Sequence, residues 1–375
     1  MIRLSEVKTA KDLKYFIDFP HDLFKSDSNY VPELFIAQRD LLKGTHPFFK
    51  HSKLKLFIAR KDGKIVGRIA TIKNGNHIEY TGRKEGFFGF FDVINDYPVA
   101  KCLLDTATDW IKKEGLTAIV GPTNFSTNET CGLLIDGFDS PPAVMLTYNK
   151  PYYSVLLEKY GFRKKMDMYA YKMIVNEIPS KLETTNSLEE RLEKRGITIR
   201  KLEMKKFSDE VKKVKEIYNS AWDKNWGFVP MTDAEFDIMA KDMKMILDPD
   251  FALIAEHNGI PIGFSLTIPD INFILQKIPR GRLLPFGLFK LLYYKSKAKN
   301  CRVITLGVLE KYRRMGIDAC CYSISVETAK KKGFITADAS WILENNIPMN
   351  RALVNLSGKI YKTYRMYELN INGAS

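Results

Sequence analysis

A repeat at an almost constant spacing constrains this chain more than any other feature. Ile2, Arg3, Glu6 and Lys8 recur as Ile199, Arg200, Glu203 and Lys205, an offset of 197. Tyr30-Val31-Pro32 returns as Phe228-Val229-Pro230 at 198, and Ile58-Ala59, Gly63 and Gly67 return as Ile254-Ala255, Gly259 and Gly263 at 196. Asn149-Lys150-Pro151 aligns with Asn346-Ile347-Pro348, and Gly161 with Gly358, both at 197. Chance identities scatter their offsets, whereas a duplicated domain holds them. A length of 375 residues suits two cores of one to two hundred residues better than one.

The repeat predicts a first domain over 1–175, a polar linker over 176–196 with a short charged helix, and a second domain over 197–375. One landmark slips: Gly115, closing a Lys-rich helix, matches Gly333, an offset of 218. About twenty extra residues therefore fall inside the second copy, placed at 272–300, NFILQKIPRGRLLPFGLFKLLYYKSKAKN. Its bulky apolar and basic residues fit a helix roofing the core, a lid, a partner-binding helix or a membrane-surface element.

Within each copy, 57–60 and 64–72 flank Lys61-Asp62-Gly63, as 251–256 and 260–268 flank His257-Asn258-Gly259; both read as β-hairpins. Val99, Leu103, Ala107, Trp110 and Ile111 share one face of a helix over 98–114. Ile317, Cys321, Ile324 and Thr328 do the same for a helix closed by Lys330 to Gly333. The order is a helix-rich start, hairpin, strand, helix, strand, helix and final strands: a mixed α/β (α+β) unit, twice.

The segment 302–332, RVITLGVLEKYRRMGIDACCYSISVETAKKK, carries the chemistry. It reads as an apolar strand, a basic turn with Gly316, and a helix. Unpaired amides at a helix start, set beside two arginines, suit a pyrophosphate. Here the chain resembles the GNAT superfamily of acyl-CoA N-acyltransferases, whose signature is a strand ending in Val-x-Pro and an Arg/Gln-x-x-Gly-x-Gly/Ala loop opening a helix. The match is Val308-Leu309-Glu310-Lys311-Tyr312-Arg313-Arg314-Met315-Gly316-Ile317-Asp318. The resemblance implies two tandem domains, each a mixed central sheet flanked by helices, with acetyl-CoA or another acyl-CoA as co-substrate. It assigns Arg313, Arg314, Met315, Gly316 and Ile317 to the pyrophosphate, and Leu306, Gly307 and Val308 to the pantetheine arm and thioester carbonyl. Glu310 stands where proline is usual, and Asp318 sets a carboxylate beside an anionic ligand unless it turns away or an arginine neutralises it. The tyrosine that serves many family members as general acid is replaced by Leu353 and Val354, and by Leu156 and Leu157 in the first copy.

The first copy lacks the loop. Gly86 to Phe91 is strand-like, but the following Asp92-Val93-Ile94-Asn95-Asp96-Tyr97 is acidic. The polar stretch Gly121-Pro122-Thr123-Asn124-Phe125-Ser126-Thr127-Asn128-Glu129 reads as a connection or a substrate loop. Over nearly its whole length the chain resembles bacterial tandem-GNAT proteins, with Asp136-Gly137-Phe138-Asp139, the segment 222–230 and Ile342-Leu343-Glu344-Asn345-Asn346 contributing.

An amine must lose a proton before it attacks a thioester, so a carboxylate base is expected. Glu344 is the first candidate and Asp338 the second; a cap on the following helix, shared with Asn345 and Asn346, is the alternative for Glu344. Trp222, Asn225 and Trp226 fall on the segment that borders the acceptor in this superfamily, and Trp341 lies on the strand before Glu344.

Three function classes follow: an N-acyltransferase joining an acyl-CoA to an amine acceptor, a degenerate pair that binds CoA or a metabolite without turnover, and a membrane- or nucleic-acid-associated protein. A net charge of +14 attracts polyanions without choosing among them. Zinc-finger spacings, a basic zipper and RNA-recognition aromatics are absent from the sequence, which leaves nucleic acid as a minority reading. No run reaches the roughly 18 to 20 apolar residues of a membrane span. The N-terminus lacks a signal-peptide pattern, which predicts a cytoplasmic protein. Five cysteines without a C-x-x-C pair and five unclustered histidines give no metal site.

Overall fold

The computed structural model describes residues 1–178, 185–222 and 225–371. Residues 179–184 of the expected linker, and 223 and 224 of the 222–230 segment, lie outside the described residues. In chain order the first half contains β1 (Ile2–Glu6), α1 (Ala10–Leu23), α2 (Phe35–Leu42), β2 (Lys53–Lys61), β3 (Lys64–Lys73), α3 (Gly75–Thr81), β4 (Glu85–Val93), α4 (Tyr97–Lys113), β5 (Ala118–Gly121), β6 (Leu133–Asp136), α5 (Tyr152–Tyr160) and β7 (Arg163–Ile174). The second contains α6 (Thr185–Glu193), β8 (Ile197–Lys201), α7 (Phe207–Ala221), α8 (Asp233–Ile246), β9 (Ala252–His257), β10 (Ile260–Pro269), α9 (Asn272–Leu275), α10 (Gly287–Lys295), β11 (Asn300–Val308), α11 (Ile317–Lys331), β12 (Thr336–Leu343), α12 (Ile347–Asn355) and β13 (Lys359–Asn370).

The strand pairing repeats as the sequence does. β1-β2-β3-β4 is an antiparallel run followed by a parallel β4·β5 contact, and β8-β9-β10-β11 is an antiparallel run followed by a parallel β11·β12 contact. Ala59 faces Gly67 as Ala255 faces Gly263, as the offset of 196 requires. The first strand is corrected by two residues, because Leu4 lies opposite Ala59 and Ile199 opposite Ala255. Leu4, not Ile2, is therefore the counterpart of Ile199. A slip of two keeps every side chain on its own face, so sequence pattern alone does not detect it.

The chain forms two compact units, but they do not follow a single cut. The first comprises Met1–Met168, Asn272–Tyr293 and Lys362–Ser375; the second comprises Tyr169–Ile271 and Tyr294–Tyr361. This differs from a boundary at 176–196, for two reasons. Residues 367–370 of β13 pair with β5, and 363–365 pair with β6, so the C-terminal strand completes the first unit's sheet. The segment 272–293, expected inside the second copy, is fastened to the first unit. Arg282 donates to Asp18 at 2.8 Å and Arg280 to Asp22 at 2.6 Å, while Asn272 Nδ2 donates to the Pro142 carbonyl at 2.8 Å.

In the first unit the apolar face of α4 (Val99, Leu103, Ala107, Ile111) covers Ala59, Ile69, Phe88 and Ile119 of the sheet. Pro98 sits in its first turn, where a missing N–H costs nothing. Gly67 is required beneath it, since a Cβ there would lie 2.7 Å from Leu103 Cδ1 and 3.2 Å from the Asp92 carbonyl. In the second unit α11 buries Ile317, Cys320 and Cys321 against Leu253, Ala255, Ile262 and Val308. Leu192 of α6 joins that core, so the charged helix expected in the linker packs in the second unit.

Tyr367 is fully buried in the first unit and donates to Glu158 at 2.9 Å. Tyr367→Ala is expected to cost about 3–5 kcal/mol, the usual range for a large buried aromatic. Hydrogen exchange should show protection lost in β5 and α4 before it is lost in β9 and β10.

Candidate functional site

In the second unit, β11 and β12 run in parallel register through Asn300↔Thr336, Cys301↔Ala337, Arg302↔Asp338 and Val303↔Ala339, and there the pairing ends. Both strands continue, β11 to Val308 and β12 to Leu343. The cause is local: Leu266 of β10 pairs with Thr305 and Thr267 with Val303, leaving Ile304 as an extra residue in β11. A bulge bends and twists its strand, and this one begins at the residue after the last β12 partner. Past Ile304 the β12 side of β11 is an unpaired edge, able to take an extended amide-bearing chain as a further strand does.

Below the divergence a buried polar network locks the two strands. Arg302 Nε donates to Ser340 Oγ at 3.0 Å and its Nη2 to the Ser340 carbonyl at 2.9 Å. Ser340 Oγ also bonds Asp338, whose other oxygen accepts from Tyr361 at 2.7 Å. Burial pushes the Asp338 carboxyl above the usual carboxylate range, against the pull of Arg302 and the bonds from Ser340 and Tyr361. The second-choice base thus sits at the paired end with both oxygens engaged. Glu344 is half-buried just past the diverged end of β12. Of the three residues 344–346 weighed as a cap for α12, Asn346 is the N-cap, its side chain accepting from the Met349 N–H at 3.3 Å. Trp341 lies on the diverged part of β12, half-buried.

At its C-terminal end β11 enters the loop. Leu309 N–H donates to the Ile262 carbonyl at 2.9 Å, a single tight turn spans Glu310–Tyr312, and Arg314 takes a left-handed φ of 64°. Gly316 has φ 90° and begins α11 with no side-chain cap on its first turn. That conformation favours glycine, and Leu188 of α6 packs where a Cβ would point, 2.9 Å away. The first-turn amides of α11 thus emerge beside exposed Arg313 and Arg314. The two arginines differ in use. Arg313 donates to the Val308 carbonyl at 3.2 Å and the Ala221 carbonyl at 2.8 Å, tying the loop to the end of α7. Asp318 is exposed in the first turn of α11 and forms no ion pair with a described residue. Behind the loop, burial pushes the Cys320 thiol to about 11 and the Cys321 thiol to about 12, which keeps both protonated and inert as nucleophiles.

The opposite face of β10 and β11 carries α7. Trp222, at its C-terminus, stacks on Tyr218 with ring centroids 5.0 Å apart and meets Phe264 at 5.6 Å. Its ring lies so close over β11 that a Cβ on Gly307 would sit 2.1 Å from Trp222 Cη2. Of the tryptophan segment, Trp222 is therefore brought to β11, Asn225 is exposed with its N–H on the Trp222 carbonyl at 2.8 Å, and Trp226 is half-buried. Two residues escaped sequence reading. Thr305 shares the Gly307 face of β11, and its hydroxyl is buried without a partner among the described residues, as is the side-chain oxygen of Asn219 on α7. Nothing in their sequence neighbourhood marks them, since an orphaned oxygen is visible only once the packing is known.

The first unit has the same strand order and no such opening. β4 and β5 pair through Phe87↔Val120, after which the chain stays against β4. Thr123 N–H donates to the Phe88 carbonyl at 2.8 Å, and Asn124 Oδ1 accepts from the Phe90 N–H at 2.9 Å. A Cβ on Gly89 would lie 1.9 Å from the Thr123 carbonyl, and fully buried Phe125 stacks on Phe48 at 4.3 Å. The odd polar stretch is thus a filling. Asp92, the first residue of the acidic stretch that stands where the loop should be, is buried in an ion pair with Arg68 at 2.7 Å.

Among the described residues no group of three or more His, Cys, Asp or Glu is arranged to hold a metal ion. No helix among them is long and apolar enough to cross a membrane.

No protein-family model matches the chain. It is 35% identical over 366 residues to protein YghO of Escherichia coli, covering 96% of this chain and 93% of that protein. It is 36% identical over 375 residues to the bacterial ceramide synthase of Caulobacter vibrioides, covering 96% of each. Among solved structures it is similar to a tandem GNAT protein from the clavulanic acid biosynthesis pathway, with TM-score 0.61, 10% identity and full coverage of both chains. A GCN5-related N-acetyltransferase from Sphaerobacter thermophilus gives TM-score 0.55 at 12% identity, covering 100% of this chain and 97% of that one.

Gly307→Ala tests the contact that defines this face. The added methyl must displace the Trp222 ring, a steric change costing about 1–3 kcal/mol. The expected readout is a shift in tryptophan emission together with a lowered Tm.

Proposed function

We propose that this chain, which belongs to one family with the Caulobacter ceramide synthase and YghO and shares the fold of a tandem GNAT protein, is an N-acyltransferase moving an acyl group from acyl-CoA to a long-chain amine. The observation that carries this reading is the parting of β11 from β12 above Val303↔Ala339, with the open edge leading to the Gly316 loop. The loop amides from Arg314 to Ile317 and the exposed guanidinium of Arg314 hold the pyrophosphate, a group that suits uncapped helix amides. Arg313 contributes charge while its guanidinium fixes the loop to α7. The edge at Leu306 and Gly307 pairs with the pantetheine amides and sets the thioester carbonyl against main-chain N–H groups; the Val308 carbonyl is already taken by Arg313.

In the reaction the amine attacks the thioester carbonyl, a C–N bond forms, the C–S bond breaks and CoA leaves as thiolate. Glu344 takes the proton of the amine, directly or through water. A thiolate of pKa about 8 to 9 leaves without an acid, so Leu353 and Val354 in place of the usual tyrosine do not block the step. The acceptor class follows from the ceramide synthase of Caulobacter, since a ceramide is the amide of a long-chain amino alcohol.

Thiol release from a long-chain acyl-CoA is expected with a long-chain amino alcohol and not with short polyamines or peptides. Glu344→Gln should lower kcat about 10²- to 10⁴-fold, the range of general-base catalysis, with acyl-CoA binding retained. Saturable CoA binding with no thiol release across acyl lengths and amines would instead assign the chain to the non-catalytic class, the outcome that Asp318 beside the phosphate site favours.

A further inference from the structure

Between Asn272 and Asn300 the sequence holds seven basic residues and no acidic one. The structure divides this segment in two. Ile274, Leu275 and Ile278 are buried, roofing the first unit. Further along, with Leu283, Leu291 and Tyr294 half-buried, five large apolar side chains turn outward: Leu284 is 77% exposed, Phe286 71%, Phe289 70%, Leu292 66% and Tyr293 62%. Phe289, Leu292 and Tyr293 recur at the three- and four-residue spacing of one helix face, and Phe286 and Leu284 extend that stripe through the turn before α10. An exposed stripe of large apolar residues marks an interaction surface, because water opposes it with nothing gained in the isolated chain. Lys290, on the same helix, bonds the Lys277 carbonyl at 3.0 Å, and Lys295 bonds the Met245 carbonyl at 2.6 Å. Both therefore keep their charge unneutralised by those contacts.

We propose that 284–297 is an interfacial element that seats this protein on an anionic phospholipid bilayer. Phe286, Phe289 and Leu292 enter the acyl boundary, and Lys290, Lys295 and Lys297 lie at the headgroups. Apolar side chains on one face with lysines beside them, in a stretch without a carboxylate, match the two attractions such a surface offers. A water-soluble protein partner matches the charge less well, having carboxylates in scattered positions, and a second copy of this basic chain opposes it. The element also supplies what a long-chain amine requires, access from a bilayer, but it does not rest on the catalytic reading.

The test is sedimentation of the full chain with vesicles of phosphatidylcholine alone or mixed with phosphatidylglycerol, without acyl-CoA, so that its outcome is independent of turnover. Wild type should bind the mixed vesicles and lose binding as salt rises. Lys290→Glu/Lys297→Glu should weaken binding about tenfold or more, in line with roughly fivefold per surface charge, and Phe286→Ser/Phe289→Ser/Leu292→Ser about tenfold or more through the apolar burial it removes. Unchanged circular dichroism and Tm in both variants exclude unfolding, as expected for exposed positions. Absence of vesicle binding at low salt, equal binding to phosphatidylcholine alone, or a serine variant that binds as wild type would each overturn the proposal. A wild-type dimer in solution that the serine variant dissolves would overturn it in favour of a second copy.

Discussion

The arrangement depends on one extra residue. Ile304 breaks the register between β10 and β11 immediately after the last parallel pair with β12, and the strands separate from there. A parallel pair parted in this way leaves backbone donors and acceptors that nothing in the sheet satisfies, at the end of β11 that also feeds the Gly316 loop. The buried Arg302–Ser340–Asp338–Tyr361 network holds the strands together below that point, so the divergence has a fixed root. Trp222 over Gly307 on one face, and α11 with Cys320 and Cys321 on the other, hold β11 rigid where it has no strand partner.

The first unit shows the same architecture with the opposite outcome. Its fourth strand is also bulged, between Gly89 and Asp92, and Phe90 takes a positive φ of 45°. The polar groups freed there are met by Thr123 and Asn124 of its own chain. Satisfying them internally removes the site, and burying Phe125 against Phe48 stabilises the closed form. The buried Arg68–Asp92 pair belongs to the same closure, since a carboxylate this far inside requires a cation beside it. The duplication thus yields one open unit and one filled unit on a shared strand order.

Much of this was legible in the sequence. The constant offset of the glycines reported the duplication, because each sits where a left-handed turn or close packing disfavours a side chain: Gly63 and Gly259 in the hairpin turns, Gly67 under Leu103, Gly263 against the Gly307 carbonyl. The Gly316 loop was legible for the same reason, a left-handed φ that excludes most side chains. The two-residue correction of the first strand was not, since alternating faces survive an even slip. Nor was the role of 121–129, where polar residues that read as a connection or a substrate loop bond β4 through Thr123 and Asn124.

The sequence by itself determined the repeated strand order, the glycine-bearing basic loop that opens a helix in the second copy and the basic, acid-free segment at 272–300. These are local matters of periodicity, glycine placement and charge. Only the tertiary structure decided that 272–293 and the end of β13 complete the first unit, that Arg313 is tied to the Ala221 carbonyl, that Thr305 and Asn219 hold oxygens unsatisfied among the described residues, and that one slot is open while the other is filled. Each of these depends on which polar group finds which partner across long stretches of chain, and hydrogen-bond satisfaction at such distances leaves no periodic trace in the sequence.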